Sequence, residues 1–132
     1  GVMYGTVPID GDILITLPSH PLFTDANIPS DHRLPGLLGY EIDRVFPKGP
    51  PGLTILAHSP YDQNGRIVYG DMTLYEATSG ARVFATGSIQ WSWGLDDYNA
   101  PDLRKRRSSE AARQISHNVL GLLARKELGM VR

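Results

Sequence analysis

The chain has 132 residues, of which 41% are hydrophobic and 20% are charged, and its formal net charge is -1. This composition indicates a folded domain, and the charge balance gives no overall attraction to nucleic acid or to an anionic membrane. The absence of cysteine excludes disulfides, thiolate metal sites and a cysteine nucleophile. No run reaches the roughly 20 apolar residues that span a bilayer, and the start lacks the features of a signal peptide, so we expect a cytoplasmic location.

Residues 1–35 are predicted to be loop-rich. One short strand candidate covers residues 12–17, and it is followed by the segment PSHPLFTDANIPSDHRLP, which contains four prolines. Prolines and turn-forming residues at this density are typical of an ordered loop. We therefore expect this part of the chain to contribute little to a hydrophobic core.

Four short β-rich runs follow between residues 37 and 88. The runs LLGYEID and LTILAHS are separated by the turn segment FPKGPPG, and RIVYGDMTLYEAT and ARVFATGSI are joined by Ser79 and Gly80. Runs of this length bounded by glycine and proline predict strands, and the Ser-Gly dipeptide predicts a hairpin turn. The sequence therefore predicts a β-rich region over residues 37–88.

One amphipathic helix is predicted over residues 108–126. Apolar residues recur there at helical spacing, at Ala112, Ile115, Val119, Leu122 and Leu123. Ser109 is suited to cap the helix start, and Lys126 suits the negative end of the helix dipole. The basic run at 104–107 is interpreted as a solvated face, and a phosphate or RNA contact is the alternative.

Two motifs in this sequence resemble those of a known family. The string SGARVFATGSIQWSWGLDD, at residues 79–97, resembles a signature of the C-terminal domain of the N,N-dimethylformamidase large (beta) subunit family. The block LPGLLGYEIDR, at residues 34–44, resembles a second motif of that family and precedes the first in the family's order. The helix sequence ARQISHNVLGLL is also similar to the closing helix of the family.

This resemblance implies an α/β fold like that of the class I glutamine amidotransferases, with a central sheet flanked by helices. Residues 1–132 would then be a single C-terminal segment of a larger domain, β-rich and with one closing helix. The family's characterised activity is hydrolysis of N,N-dimethylformamide to formate and dimethylamine at a mononuclear iron, which is held by two tyrosines and a glutamate. We expect the ligand tyrosines in an upstream part of the same protein, so this segment alone would not be a complete enzyme.

The resemblance also implies partners for this chain. The family works as large assemblies that contain a small second subunit, so we expect an oligomer that includes the upstream part and such a subunit. The expected substrate is a small-molecule amide. Nucleic acid and membrane are not expected as partners.

Glu41 is the candidate metal ligand, because a carboxylate oxygen is a hard ligand suited to iron. The alternative is that Glu41 forms an ion pair with Arg44 or with another arginine at a strand end. If this stretch is extended, the adjacent Tyr40 and Glu41 point to opposite faces and cannot both bind one metal, which favours a packing role for the Tyr40 ring.

Asp43 and His58 are the catalytic candidates. Asp43 would share a strand face with Glu41, where it can orient a ligand or hold a proton, and the alternative is a salt bridge to Arg44 or Arg82. His58 ends an apolar run, where α/β sheets place ligand contacts, and it is interpreted as a general base or a supporting group. A structural histidine is the alternative.

The tryptophan segment supplies the substrate-binding candidates. Ser88 and Gln90 can present a hydroxyl and an amide to a substrate or to a neighbouring loop. Trp91 and Trp93 would lie on one side of an extended backbone, where they can wall a pocket or seal the domain by packing.

Two alternative functions remain open besides the iron-dependent amide hydrolase. In one, the chain is a non-catalytic domain of the same fold that binds a carbohydrate or a protein partner through exposed Trp91 and Trp93. In the other, it is only the structural part of a domain whose active site lies elsewhere.

Overall fold

The computed structural model describes residues 2–6 and 9–124, which form seven strands, two 3₁₀ helices and one α-helix. The strands are β1 (Met3–Thr6), β2 (Asp10–Leu14), β3 (Arg33–Gly39), β4 (Ile42–Arg44), β5 (Thr54–Gln63), β6 (Arg66–Glu76) and β7 (Arg82–Ala85). The 3₁₀ helices cover Pro21–Phe23 and Ile89–Gly94, and α1 covers Glu110–Ala124. The chain is thus β-rich with one helix after the strands, as the sequence predicts.

The strands form three small antiparallel sheets. β1 pairs with β4, β2 pairs with β3, and β5, β6 and β7 form a three-stranded sheet in that order. An isolated bridge between Ile15 and Ala57 connects the first part of the chain to β5, and another between Ile42 and Ser88 connects β4 to the segment after β7. No parallel pair occurs among the described residues, so the amidotransferase-like central sheet is not confirmed.

The β5–β6 hairpin is the longest strand pairing, and its two-residue turn has the backbone conformation that a tight hairpin requires. Asn64 and Gly65 form the two-residue loop and both have positive φ, 55° and 79°. This combination matches the turn type whose twist suits a two-stranded hairpin, and it favours an Asn-Gly sequence. Asp62 stabilises the turn by accepting a hydrogen bond from the Gly65 amide at 3.0 Å.

The hydrophobic core includes residues from the predicted loop-rich region, so the expectation that this region has little core is wrong. Its buried apolar residues are Ile13, Ile15, Leu22, Phe23, Ala26 and Leu34. Ile13 in β2 and Ile15 just after it are two residues apart in extended backbone and turn to one face, and the first 3₁₀ helix buries Leu22 and Phe23. These side chains pack with others from β3, β5, β6 and α1, namely Leu37, Leu38, Leu56, Met72 and Ile115.

The helix α1 begins with the predicted cap. The Ser109 hydroxyl accepts a hydrogen bond from the Ala112 amide at 3.2 Å, and Glu110 places a negative charge in the first turn. Its buried face carries Ala111, Ala112, Ile115 and Val119. The predicted helix end at residues 125 and 126 lies outside the described residues.

The basic run at 104–107 folds back onto acidic side chains of the same chain. Lys105 and Arg107 each contact the Asp10 carboxylate at 2.7 Å, and Arg104 lies 3.5 Å from that of Asp96. The hydrogen bond from Lys105 and the charge of Arg107 lower the pKa of Asp10, although burial acts in the opposite direction. These ion pairs tie the segment before α1 to the start of β2.

Candidate functional site

Glu41 lies in a turn rather than within a continuous strand. β3 ends at Gly39 and β4 begins at Ile42, and between them Tyr40 adopts a left-handed conformation with φ of 66°. A non-glycine residue in this region breaks the extended path, so the two-face argument for Tyr40 and Glu41 does not apply. The half-buried Glu41 is held in place through its backbone, because its carbonyl accepts a hydrogen bond from the Ile89 amide at 3.3 Å.

Asp43 lies on β4 close to the charge of Glu41. Its amide donates to the Gly87 carbonyl at 3.0 Å, and burial together with the Glu41 charge raises the pKa of its carboxyl. Arg82, one of its two predicted partners, pairs with Glu76 at 3.0 Å. Asp43 is therefore a carboxyl whose environment disfavours its ionised form.

Asp43→Asn is expected to raise the stability of the chain at neutral pH. Because the folded pKa of Asp43 lies above the ordinary 3.8, its carboxyl contributes stability below that pH, and this contribution is lost as pH rises through the folded pKa. The asparagine side chain lacks the charge that is unfavourable at this position in the folded state. The urea midpoint of the variant should exceed that of the parent at pH 7, and the difference between the two midpoints should disappear at acidic pH. Asp102→Asn, at an exposed aspartate, is the control. A variant that is less stable at pH 7 would contradict this account.

His58 and Asp71 form a hydrogen-bonded pair across the β5–β6 hairpin. They lie opposite each other in the strand register, with His58 Nδ1 2.6 Å from Asp71 Oδ1. The other carboxylate oxygen, Oδ2, accepts a hydrogen bond from the Val45 amide at 2.7 Å. The Asp71 side chain is 4% exposed, whereas that of His58 is 43% exposed. A buried carboxylate thus holds a partly exposed imidazole.

The position of His58 differs from the expectation that it ends its strand. β5 continues through Pro60 to Gln63, so His58 lies in the middle of the strand. Proline is tolerated there because β5 is an edge strand of its three-stranded sheet and no ladder bond is lost. The Tyr69 ring stacks on the imidazole, with centroids 4.0 Å apart and planes 7° apart.

Gly87 joins the Asp43 and Asp71 parts of the site. It has a φ of 70°, and a Cβ built on it would lie 2.2 Å from the Asp71 carbonyl oxygen. Its own carbonyl accepts the bond from the Asp43 amide. Close backbone approach at a glycine therefore connects the backbone of Asp43 on β4 to the backbone of Asp71 on β6.

Ser88 and Gln90 are buried and form hydrogen bonds with β3 and its surroundings. The Ser88 hydroxyl donates to the Leu37 carbonyl at 2.8 Å and accepts from the Gly39 amide at 3.0 Å. The Gln90 amide nitrogen donates to the Gly36 carbonyl at 2.8 Å. These groups attach the second 3₁₀ helix to β3, and the arrangement offers no support for substrate contact by either side chain.

Trp91 and Trp93 point in different directions, because the segment is a 3₁₀ helix and not extended. Trp91 is buried and its Nε1 donates to the Ser116 hydroxyl of α1 at 3.1 Å. Trp93 is partly exposed, with the Tyr40 ring edge-on at 5.4 Å and the Arg104 guanidinium 5.6 Å from its ring centre. The extended backbone on which both rings would lie on one side does not occur here, and of the two rings only Trp93 remains near a surface.

The described residues contain no ready group of acidic and imidazole metal ligands. Among residues 2–6 and 9–124, no group of three or more His, Asp or Glu side chains is arranged to hold a metal ion. Glu41 has one neighbouring carboxylate, that of Asp43, as an oxygen donor. Glu41 and Asp43 are therefore oxygen donors available to iron, without a third acidic or imidazole ligand among the described residues.

An open groove of about 740 Å³ lies elsewhere, between the first 3₁₀ helix, β6, β7 and α1. His20 and His117 line it, together with the Glu76–Arg82 ion pair. The His20 Nδ1 accepts a hydrogen bond from the Leu22 amide at 3.2 Å, and burial lowers the pKa of this imidazole. None of the site residues predicted from the sequence lines this groove.

Sequence comparison gives one match. The family model described as N,N-dimethylformamidase beta subunit-like, C-terminal, matches residues 1–105, which include all seven strands and the tryptophan segment but not α1. No curated protein and no solved structure matches the chain. Within the described residues, no helix is long and apolar enough to cross a membrane.

Proposed function

Because the chain belongs to the N,N-dimethylformamidase beta subunit-like, C-terminal family, we propose that it is part of an amide hydrolase that acts on small formamides such as N,N-dimethylformamide. The observation that carries this proposal is the family match over residues 1–105 of 132. Two pairs of side chains, Glu41 with Asp43 and His58 with Asp71, support it, since carboxylates and an imidazole are the groups that amide hydrolysis uses. We place this activity in the cytoplasm.

The proposal assigns the metal ligand of this chain to Glu41, at the turn between β3 and β4. A mononuclear iron, when bound, supplies an acidified water and polarises an amide carbonyl. No third acidic or imidazole ligand accompanies Glu41 and Asp43 among the described residues, and in this proposal the two tyrosine ligands come from other parts of the protein. Those parts are an upstream region, which would hold the amidotransferase-like α/β sheet, and a small second subunit within an oligomer.

In this proposal, the other polar residues either transfer protons or hold the site in place. Asp43 lies beside Glu41, where it orients the ligand or holds a proton. His58, whose ring is partly exposed, exchanges protons with the water and the amide nitrogen. Ser88 and Gln90 contribute by fixing the segment between Gly87 and Trp91.

Glu41→Gln tests the proposal in the longer protein that contains this segment. Iron is measured by plasma mass spectrometry, and formate release from N,N-dimethylformamide is measured at several substrate concentrations. We expect stoichiometric iron in the parent, most of it lost in the folded variant, and a fall in kcat/KM of at least about tenfold. Glu76→Gln, at an exposed glutamate beside the remote groove, should retain both iron and activity. A folded parent without metal would overturn the iron mechanism, and Glu41→Gln with normal iron would remove Glu41 from the ligands.

A second candidate function is carbohydrate or protein binding, and one observation favours it. Tyr40 is 59% exposed, lies edge-on to Trp93 and is held in a left-handed backbone conformation. Strained residues and exposed aromatic rings are typical of ligand contacts. Titration of the chain with soluble oligosaccharides, followed by tryptophan fluorescence, tests this candidate. Saturable binding that is lost in Trp93→Ala would support it over a catalytic role.

A further inference from the structure

We propose that Asp71 and Tyr69 are positioning residues that hold His58 in a single tautomer and orientation, with Nε2 as its working nitrogen. This inference rests on the proposed function, in which His58 transfers protons. It adds two residues that the sequence did not point to and specifies the atom that accepts the proton. Each of the two acts through a different contact with the same imidazole ring.

The first contact determines where the ring proton lies. A carboxylate accepts hydrogen bonds and does not donate them, so the 2.6 Å contact to Asp71 Oδ1 places the proton of neutral His58 on Nδ1. The Nε2 atom then carries the free lone pair. The carboxylate is fixed in turn, because its Oδ2 accepts from the Val45 amide at 2.7 Å and its side chain is 4% exposed. A buried acceptor with two partners does not turn toward solvent.

The second contact determines the plane of the ring. The strand register places His58 opposite Asp71, and Tyr69 lies two residues before Asp71, so all three side chains share one face of the hairpin. The Tyr69 ring stacks on the imidazole at 4.0 Å with a 7° angle between planes. The His58 side chain is 43% exposed although its Nδ1 contacts the buried Asp71, so we assign the exposed part to the opposite edge of the imidazole. That edge carries Nε2.

An imidazole held in this way performs both proton transfers of amide hydrolysis. Nε2 accepts a proton from the water whose oxygen bonds to the carbonyl carbon. It then donates a proton to the amide nitrogen as the C–N bond breaks, so that one water and one amide give one carboxylic acid and one amine. During the interval the imidazole is protonated, and the Asp71 carboxylate stabilises this charge.

His20 provides an internal reference for the tautomer of His58. Its Nδ1 accepts a hydrogen bond from the Leu22 amide, so in its neutral form the proton lies on Nε2. The structure therefore assigns opposite tautomers to His20 and His58. The two types give different ¹⁵N shifts and different couplings to the ring carbon protons, so both are read from one spectrum of the ¹⁵N-labelled chain.

Asp71→Asn is the decisive variant. An asparagine retains an oxygen for the Val45 amide but presents an NH₂ group to His58 Nδ1, which moves the ring proton to Nε2. We expect His58 to change from the Nδ1–H to the Nε2–H tautomer while His20 is unchanged. In the longer protein, kcat for formamide hydrolysis should fall about 100-fold with KM little altered. Asp62→Asn, which removes a charge at the end of the same hairpin and retains an oxygen for the Gly65 amide, should leave both the tautomer and kcat unchanged.

The outcomes separate this inference from the proposed function. A wild-type His58 that populates both tautomers, or the Nε2–H form, overturns the positioning role whatever the activity, and it does so even if Asp71→Asn fails to fold. The expected tautomers in a protein that hydrolyses no formamide would support the positioning and refute the amide hydrolase. The expected tautomer change with an unaltered kcat would show that His58 takes no part in the reaction and would overturn the inference.

Discussion

Gly87→Ala is expected to lower the free energy of unfolding by about 3 to 5 kcal/mol. The residue has a φ of 70°, a conformation that costs a side chain about 1–2 kcal/mol, and the added Cβ would lie 2.2 Å from the Asp71 carbonyl oxygen. Because the blocking atom belongs to the backbone of β6, no side-chain rotation relieves the contact. Urea unfolding followed by tryptophan fluorescence measures the effect.

The matched control for this prediction is Gly65→Ala. Gly65 has a similar φ of 79°, but nothing lies within 4 Å of a Cβ built on it. This variant therefore reports the conformational cost without the steric contact, about 1–2 kcal/mol. Equal losses in the two variants would mean that the segment at Gly87 moves away from β6 at little cost. The Asp43, Gly87 and Asp71 contacts would then not be a rigid part of the site.

Trp91→Ala is expected to destabilise the chain by about 3–5 kcal/mol, and Trp93→Ala by about 1 kcal/mol or less. Trp91 is 7% exposed and joins the second 3₁₀ helix to α1 through its bond to Ser116. Its removal leaves a cavity and an unpaired hydroxyl. Trp93 contacts Tyr40 and Arg104 near the surface, where water replaces the lost contacts.

Chemical unfolding of the two tryptophan variants provides a direct comparison, because the two residues lie close together in the same 3₁₀ helix. Far-ultraviolet circular dichroism is the suitable signal, since it does not depend on tryptophan. Equal losses would contradict the separation into a buried and a surface ring. If Trp93→Ala retains stability but loses a binding activity, the ligand contacts of this segment belong to Trp93.

Gly87, Trp91 and Trp93 all belong to the segment that carries the family motif. The glycine at 87 is needed for close approach to β6, and Ser88, Gln90 and Trp91 are buried with internal partners. The motif is thus explained mainly as the part that attaches β3, β6 and α1 to one another. Its contribution to the proposed site is to hold the backbone of Asp43 close to that of Asp71 through Gly87.

Local sequence determined several elements of this protein. The helix spacing and the Ser109 cap specify α1, because both depend on residues within four positions of each other. The Asn-Gly and Ser-Gly pairs lie at the two turns of the three-stranded sheet, where positive φ favours glycine. The family was also determined by the sequence, since its motifs are contiguous strings and the match extends over residues 1–105.

Only the tertiary structure decided which residues form the site. Asp71 lies 13 positions from His58, and the two meet because of the hairpin register, which no local pattern specifies. The left-handed Tyr40 interrupts a run that alternates like a strand, and a 3₁₀ helix separates two tryptophans that an extended chain would place together. Side-chain direction depends on backbone conformation and on long-range pairing, so the candidate residues were readable from the sequence but their partners were not.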